Sequence, residues 1–369
     1  ELVIFLANGD SLMTNKTSLS DEAILDSDIL PANSGKRARL SEASKILVTG
    51  ATGFLGSFLL DELLRFTAPD TKFYCLARGS ERVKSGNDRV VEALKFYGLP
   101  SHTQQDRIVT MTGDLTKSQF GLSDEDYHWL VKEVDLVFHC AASVNYAYSY
   151  ETAKPHTVGG TTEVIKFACH TITKPLLYLS SNGIFPGGDT MPYLENNDID
   201  GFAERMEGGY NQAKWVAERL VWSAVSRGLP VCLIRPGNIG HHSVTGALNP
   251  NDFQTLIIKA CLQVDCAPIA PDWFFEMTPV DFLAAAIAKI SDNVANLGQV
   301  YNVVQQDPVR AEDVFTRMRD TGLIRELVPM TEWRLRLETV SDSANDVELK
   351  LLARSLDSVE GYLTDTSVY

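Results

Sequence analysis

Lys45-Ile46-Leu47-Val48-Thr49-Gly50-Ala51-Thr52-Gly53-Phe54-Leu55-Gly56 joins a short apolar run to three glycines at G-x-x-G-x-x-G spacing. The flanks predict a strand, a tight turn and then a helix over residues 54–66. In that geometry Gly50 ends the strand in a tight turn, Gly53 lets backbone N–H groups approach a pyrophosphate, and Gly56 lets the helix lie close to the sheet. A helix N-terminus carries unpaired N–H groups and the positive end of the helix dipole, so a phosphate suits it. The glycine triplet alone is weak evidence. A strand before it, a helix after it and a second strand beyond make it a dinucleotide-binding turn, with Gly50, Thr52, Gly53, Phe54, Leu55 and Gly56 as candidate contacts.

The second strand, Lys72-Phe73-Tyr74-Cys75-Leu76-Ala77, ends in Arg78. An acidic residue at this place would bond a ribose 2′-hydroxyl, whereas a guanidinium suits a 2′-phosphate, so the expected cofactor is NADPH rather than NADH. Arg89 is a second candidate clamp, its alternative being a solvated helix residue.

From Ile46 onward strands and helices alternate. The pattern predicts strands at 46–49, 72–77, 107–111, 135–139, 176–180 and 231–235, and helices at 54–66, 88–97, 124–131, 158–172 and 210–227. That order implies an α/β fold of Rossmann type, a doubly wound parallel sheet with helices on both faces. After Pro236 the pattern loosens into helices near 253–263, 279–290, 311–320 and 331–338. The expected organisation is a linker and docking segment over 1–44, an NADP-binding domain over 45–240, and a smaller, mainly helical substrate-binding lobe over 241–369. Segments near 278–304 are expected to complete the sheet.

A net charge of −15 without a block of clustered Lys and Arg argues against a nucleic-acid surface. The six cysteines lack C-x-x-C spacing, which fits a reduced, cytoplasmic chain. No apolar run reaches the length of a membrane span. There is no initiator methionine, so the sequence reads as an excised segment, expected to be monomeric in isolation.

Gly208-Gly209-Tyr210-Asn211-Gln212-Ala213-Lys214 opens a helix with Tyr210 and Lys214 on one face. An ammonium near a phenol lowers the phenol's pKa and can also hold a ribose, so Tyr210 can pass a proton beside a hydride-transfer centre. An amphipathic helix carrying Tyr and Lys is common by itself. Here Leu176-Leu177-Tyr178-Leu179-Ser180-Ser181 also delivers hydroxyls to the C-terminal end of the sheet, and Ser181, at the turn into the loop, is the candidate partner. His241-His242 lacks a third ligand at sensible spacing, so no metal is expected. Trp273-Phe274-Phe275 suits an acyl channel or a lobe core equally.

Several words of the chain resemble the extended short-chain dehydrogenase/reductase family: ILVTGATGFLG (46–56), CLARG (75–79), TGDLT (112–116), FHCAASVNY (138–146), YLSSNGIF (178–185), GGYNQAKWVAERL (208–220), LIRPGNIG (233–240) and TPVDFLAAAI (278–287). Within that family the chain is similar to the thioester reductase domains that end non-ribosomal peptide synthetases, polyketide synthases, carboxylic acid reductases and aminoadipate reductases. The segment Met330–Leu337 looks like that family's late substrate-lobe helix. The resemblance implies a catalytic triad of Ser181, Tyr210 and Lys214, with Arg78 and Arg89 on the 2′-phosphate. It puts Asp114 and Leu115 beside adenine, Ala141 and Ala142 along the cofactor, and Pro236, Gly237, Asn238 and Ile239 over nicotinamide. Asp114 could equally cap a turn, and the alanines could be small because the sheet is tight. One departure stands out: Thr157 occupies the place where many relatives carry an asparagine in N-V-x-G-T, which puts a proton-relay water in question. The sequence also stops at Tyr369, short of the family's expected end.

The activity implied is NADPH-dependent reductive release of an acyl thioester, peptidyl or polyketide, held on the phosphopantetheine arm of an upstream carrier domain. The product is an aldehyde, or an alcohol after a second hydride. The alternatives are a non-redox cyclising release domain, an epimerase or ketone reductase of the extended short-chain family, and an NADP-binding regulatory scaffold. Arg78 and the late lobe weigh against the epimerase and ketone reductase, and an intact triad weighs against the other two.

Overall fold

The structure is a computed structural model that describes residues 18–35, 38–79, 86–142, 144–145, 148–189 and 192–344, with scattered positions between 349 and 364. Residues 1–17 and 36–37 of the expected linker lie outside the described residues, as does most of the stretch after 344.

After a single helical turn, α1 (Leu19–Glu22), the chain alternates as its pattern predicts. The order is β1 (Lys45–Thr49), α2 (Phe54–Phe66), β2 (Lys72–Ala77), α3 (Gly86–Phe96), β3 (Ile108–Thr112), α4 (Asp124–Glu133) and β4 (Leu136–His139). Next come α5 (Tyr150–Lys154), a π-helical turn (Pro155–Gly159), α6 (Gly160–Cys169), β5 (Leu176–Leu179), α7 (Gly209–Ser226) and β6 (Val231–Pro236). The remainder holds β7 (Ile239–Gly240), α8 (Phe253–Val264), β8 (Cys266–Pro268), β9 (Phe274–Phe275), β10 (Thr278–Pro279) and α9 (Val280–Ser291). It continues with β11 (Val300–Val303), β12 (Val309–Arg310), α10 (Ala311–Asp320), β13 (Glu326–Val328) and α11 (Met330–Ala344).

Seven strands form one parallel sheet in the order β3-β2-β1-β4-β5-β6-β11. The winding reverses between β1 and β4, and in such sheets a ligand crevice opens beyond the strand ends at that point. Both faces of β1 are covered, which is why Ile46, Leu47 and Val48 form an unbroken apolar run rather than an alternating one. Leu47 and Val137 face α4, α6 and α7, while Ile46 and Val48 face α2, α3 and α9. Helix starts follow local chemistry: Ser123 caps α4 by accepting from the Asp126 N–H at 3.1 Å, and Asp252 caps α8 by accepting from Thr255 N–H at 2.9 Å.

A third core gathers α8, β8, α10 and α11 around Trp273, Phe275, Phe315 and Trp333. It belongs to the small lobe. Between its two halves, α9 packs back on α2 and β11 extends the main sheet beside β6. The segment 18–35 wraps the face of α7, with Leu25 and Ile29 buried in the core. The Arg227 guanidinium holds that wrap by donating to the carbonyls of Leu25 (2.7 Å), Ile29 (2.9 Å) and Asp26.

Candidate active site

The glycine turn closes tightly at the switch point. Gly50 has φ +80°, and a Cβ there would lie 2.7 Å from Ala141 N, so β1 and the chain leaving β4 touch backbone to backbone. A Cβ on Gly56 would lie 2.0 Å from the Gly50 carbonyl oxygen, which fixes α2 hard against the turn. The Gly53 N–H donates to Gly50 O at 2.9 Å, and no side chain caps α2. The result is an uncapped helix N-terminus at the crevice, the arrangement a pyrophosphate requires. Thr52 and Leu55 are half-buried beside it. Phe54 is different: its ring packs edge-on against Phe58 and Tyr97 at 5.3 Å from each, so only its backbone can serve a ligand.

At the end of β2, Arg78 is exposed. The Arg89 guanidinium donates to the Arg78 carbonyl, so Arg89 buttresses the strand end that carries Arg78. Asp114 follows β3 and accepts from the Thr116 N–H at 3.0 Å and the Thr116 hydroxyl at 2.8 Å. Burial pushes that carboxyl up, but those two donors and the charges of Lys117 and Arg78 hold it below its ordinary value. Its side chain therefore shapes its own turn. Leu115 lies against Gly160 at the start of α6, where an added Cβ would meet Leu115 Cβ at 3.3 Å.

Helix α7 brings the proposed chemistry together. It begins at Gly209 because the chain there runs against the Tyr148–Tyr150 backbone, and a Cβ would lie 2.3 Å from Ser149 C and Tyr148 O. Tyr210, Lys214 and Glu218 recur at four-residue spacing and are all buried. The Lys214 ammonium donates to Leu179 O at 2.7 Å and sits 5.2 Å above the Tyr178 ring. Burial lowers its pKa to about 8, against the pull of Glu218 and Cys140. One turn earlier, Asn211 packs on Gly183, where an added Cβ would be 2.6 Å from Asn211 Oδ1. Two contacts thus clasp α7 to the end of β5, and the loop they fix carries Ser181.

The two serines divide the work. Ser180 donates to Glu218 and faces the interior. Ser181 accepts from Gly183 N–H at 3.0 Å and stands at the head of the loop. Glu218 also receives Arg235, with Nη2 at 2.6 Å from Oε1, and the Trp222 indole at 3.1 Å. Arg235 in turn lies 5.1 Å over the Phe185 ring, which stacks on Tyr193 at 4.5 Å. The sequence signals of this ion pair are a glutamate four residues past Lys214 and an arginine near the end of an apolar strand; their pairing across 17 residues is set by the fold.

A second buried polar chain underlies the site. Ala141 N–H donates to Thr49 Oγ1 at 3.4 Å, and Thr49 meets His139 Nδ1 at 2.7 Å. His139 Nε2 meets Thr161 Oγ1 at 3.3 Å, which lies 3.5 Å from the Tyr178 hydroxyl. Burial, helped by the charge of Lys214, lowers the His139 pKa to about 3, so the imidazole is neutral. Thr157 sits in the π-helical turn, buried, and its hydroxyl has no hydrogen-bond partner among the described residues.

Opposite, the loop Pro236-Gly237-Asn238-Ile239 leaves β6, with Gly237 N–H donating to Val303 O at 3.1 Å. Ala141 and Ala142 are half-buried beyond the end of β4. His242 packs on Phe58 and accepts from the N–H groups of Val244 and Thr245, while His241 contacts Thr255. Trp273 and Phe275 are buried in the lobe core against Trp333 and Phe315, so of that trio only Phe274 is half-exposed. No helix among the described residues is long and apolar enough to cross a membrane.

A family model described as Male sterility protein matches residues 48–287. The glycine betaine reductase ATRR of Emericella nidulans is 34% identical over 85% of this chain and 25% of its own length. The nonribosomal peptide synthetase asaC of Aspergillus flavus is 33% identical over 90% of this chain and 33% of its own. The chain therefore spans a quarter to a third of the length of these two relatives. Among solved structures, the terminal R domain from the myxalamid PKS-NRPS pathway superposes with a TM-score of 0.83 at 36% identity, covering 91% of this chain and 83% of that one.

Proposed function

Because the chain belongs to the Male sterility protein family, and with the terminal reductase domains to the extended short-chain dehydrogenase/reductase fold, we propose that it reduces a carrier-bound acyl thioester with NADPH. Membership carries the coarser statement, a reductase that uses a nicotinamide cofactor. The finer reading is supported chiefly by the clasp of Lys214 and Asn211 on the end of β5, which fixes the helix that carries Tyr210 against the loop that carries Ser181.

The residues fit a dinucleotide: the uncapped start of α2, the glycines that admit no Cβ, and Arg78 exposed beyond β2. Bound there, the reduced nicotinamide supplies a hydride. The Ser181 and Tyr210 hydroxyls donate to the thioester carbonyl oxygen as it gains negative charge. Lys214, charged below about pH 8, holds the ribose and favours release of the Tyr210 proton. The C–S bond of the resulting thiohemiacetal then breaks, giving an aldehyde and a thiolate that takes up a proton. A second hydride to the aldehyde would give the alcohol, with Tyr210 supplying the hydroxyl proton.

The thioester, held on the phosphopantetheine arm of an upstream carrier domain, is the substrate we assign to this chain, and its likeness to part of a nonribosomal peptide synthetase supports that reading. The test is NADPH oxidation, followed spectrophotometrically with an acyl-pantetheine thioester, together with identification of the product. Release of aldehyde and free thiol supports the reading. Thioester cleavage without NADPH oxidation would favour the cyclising alternative.

A further inference from the structure

Glu276 has no exposed surface and lies between β9 and β10, where the chain crosses from the small lobe back to the sheet. Burying a carboxylate is costly unless donors meet its oxygens. Here three do: Asn238 N–H donates to Oε2, while Gln305 N–H at 2.9 Å and the Thr278 hydroxyl at 2.6 Å donate to Oε1. Burial outweighs the pull of these donors and leaves the carboxyl above its ordinary pKa. The fit is close enough to dictate a neighbour, since a Cβ on Gly237 would lie 2.4 Å from Oε2.

The three donors come from three segments: the loop after β6, the start of β10 and the loop after β11. Thr278 N–H donates to Asn238 O at 3.0 Å and Met277 N–H to Gln305 Oε1 at 3.1 Å, so the carboxylate sits at the knot where these segments meet. The loop after β6 leaves the sheet one strand over from Ser181.

We propose that Glu276 is a positioning residue for the nicotinamide half of the cofactor, its carboxylate fixing the backbone of Pro236–Ile239 against the reaction centre. The inference rests on the cofactor reading above. A carboxylate suits the task because its two oxygens accept three donors and bring none of their own. In Glu276→Gln the side chain keeps its shape but has one acceptor. Whichever way the amide turns, the Asn238 or the Gln305 N–H faces an NH₂ group.

The test compares two probes by titration calorimetry: NADPH, and adenosine 2′,5′-bisphosphate, which carries the adenosine half and lacks nicotinamide. Glu276→Gln is expected to raise the NADPH dissociation constant about tenfold, the scale of one buried donor left without an acceptor, and to leave the bisphosphate within about twofold. Thr278→Val, which removes one donor and keeps the Asn238 contact, is expected to show the same split at about threefold. It carries the comparison if Glu276→Gln does not fold. Equal losses for both probes would make Glu276 a general structural residue and overturn the proposal. Unchanged NADPH binding in the variants would overturn it too. Wild-type protein that binds neither probe would overturn the cofactor reading itself.

Discussion

Tyr210 and Lys214 share a helix face yet have separable duties. Tyr210→Phe removes one hydroxyl and keeps the ring, so dinucleotide binding should survive while turnover falls by about 10²–10⁴, the usual weight of a positioned general acid. Stopped-flow and steady-state rates on a thioester and on free aldehyde check this. Near wild-type rates on both would remove Tyr210 from the chemistry. Lys214 predicts a pH limb, because burial brings its pKa from 10.5 to about 8 and the ammonium is lost as pH rises through that value. The rate should fall above about pH 8, and Lys214→Met should be slow with no such limb. Stability moves the other way. Between about 8 and 10.5 the unfolded lysine keeps a proton that the folded one has released, so this residue makes the fold more stable as pH rises across that window. Denaturant titrations of wild type and Lys214→Met across that window should diverge in this sense. Arg78→Ala should weaken NADPH by roughly tenfold to a hundredfold, the worth of a charge-assisted contact to a phosphate, and spare NADH. Equal losses for the two cofactors would show that Arg78 only shapes the end of β2.

At the scale of elements, the joint between β1 and α2 tolerates no added atom. Gly56→Ala would drive a methyl into the Gly50 carbonyl, so the turn must open; dinucleotide binding should be lost before the fold is, as titration beside a thermal melt would reveal. The sheet strands and the helices between them were legible because burial on both faces gives β1 and its neighbours continuous apolar runs, and because α2 and α7 begin at glycines. Three things were hidden. The helix predicted over 158–172 starts as a π turn at Pro155 and becomes α only at Gly160, since nothing in local propensity marks an i→i+5 pattern. The two-residue strands β7, β9, β10 and β12 are too short to show a period. Buried charges such as Glu218, Arg235 and Glu276 pair across large sequence gaps, and a single sequence does not display its long-range partners. In the site, Arg89 and Asp114 each carry a ligand-contact expectation and a structural one, and their side chains are engaged with Arg78 O and with the Thr116 turn.

Across the whole molecule, the main sheet reverses its winding between β1 and β4, and the elements that follow β6 build a core of their own. Arg227→Met should release the 18–35 wrap by removing three carbonyl contacts, raising protease sensitivity there while leaving the sheet intact. Limited proteolysis with mass mapping would locate the cuts, and unaltered cleavage would mean that the wrap is held by the burial of Leu25 and Ile29 and by the bonds of Glu22, Ala32 and Ser34 to Lys154, Cys169 and Thr173. The course of the chain between the main sheet and the small-lobe core matters for anyone who would re-engineer that lobe. It leaves the sheet after β6, comes back to lay down α9 and β11, and departs a second time, so the lobe is sewn from two pieces with a length of host fabric between them. A graft cut once near residue 241 and carried to the end would import a foreign α9 against the resident α2 and a foreign β11 beside the resident β6. Transplants should instead exchange 241–277 and 304–369 together, so that Leu349, Leu352, Leu356 and Leu363 travel with the core they complete, and leave 278–303 in place, with the recipient's Glu276 seat copied into the seam.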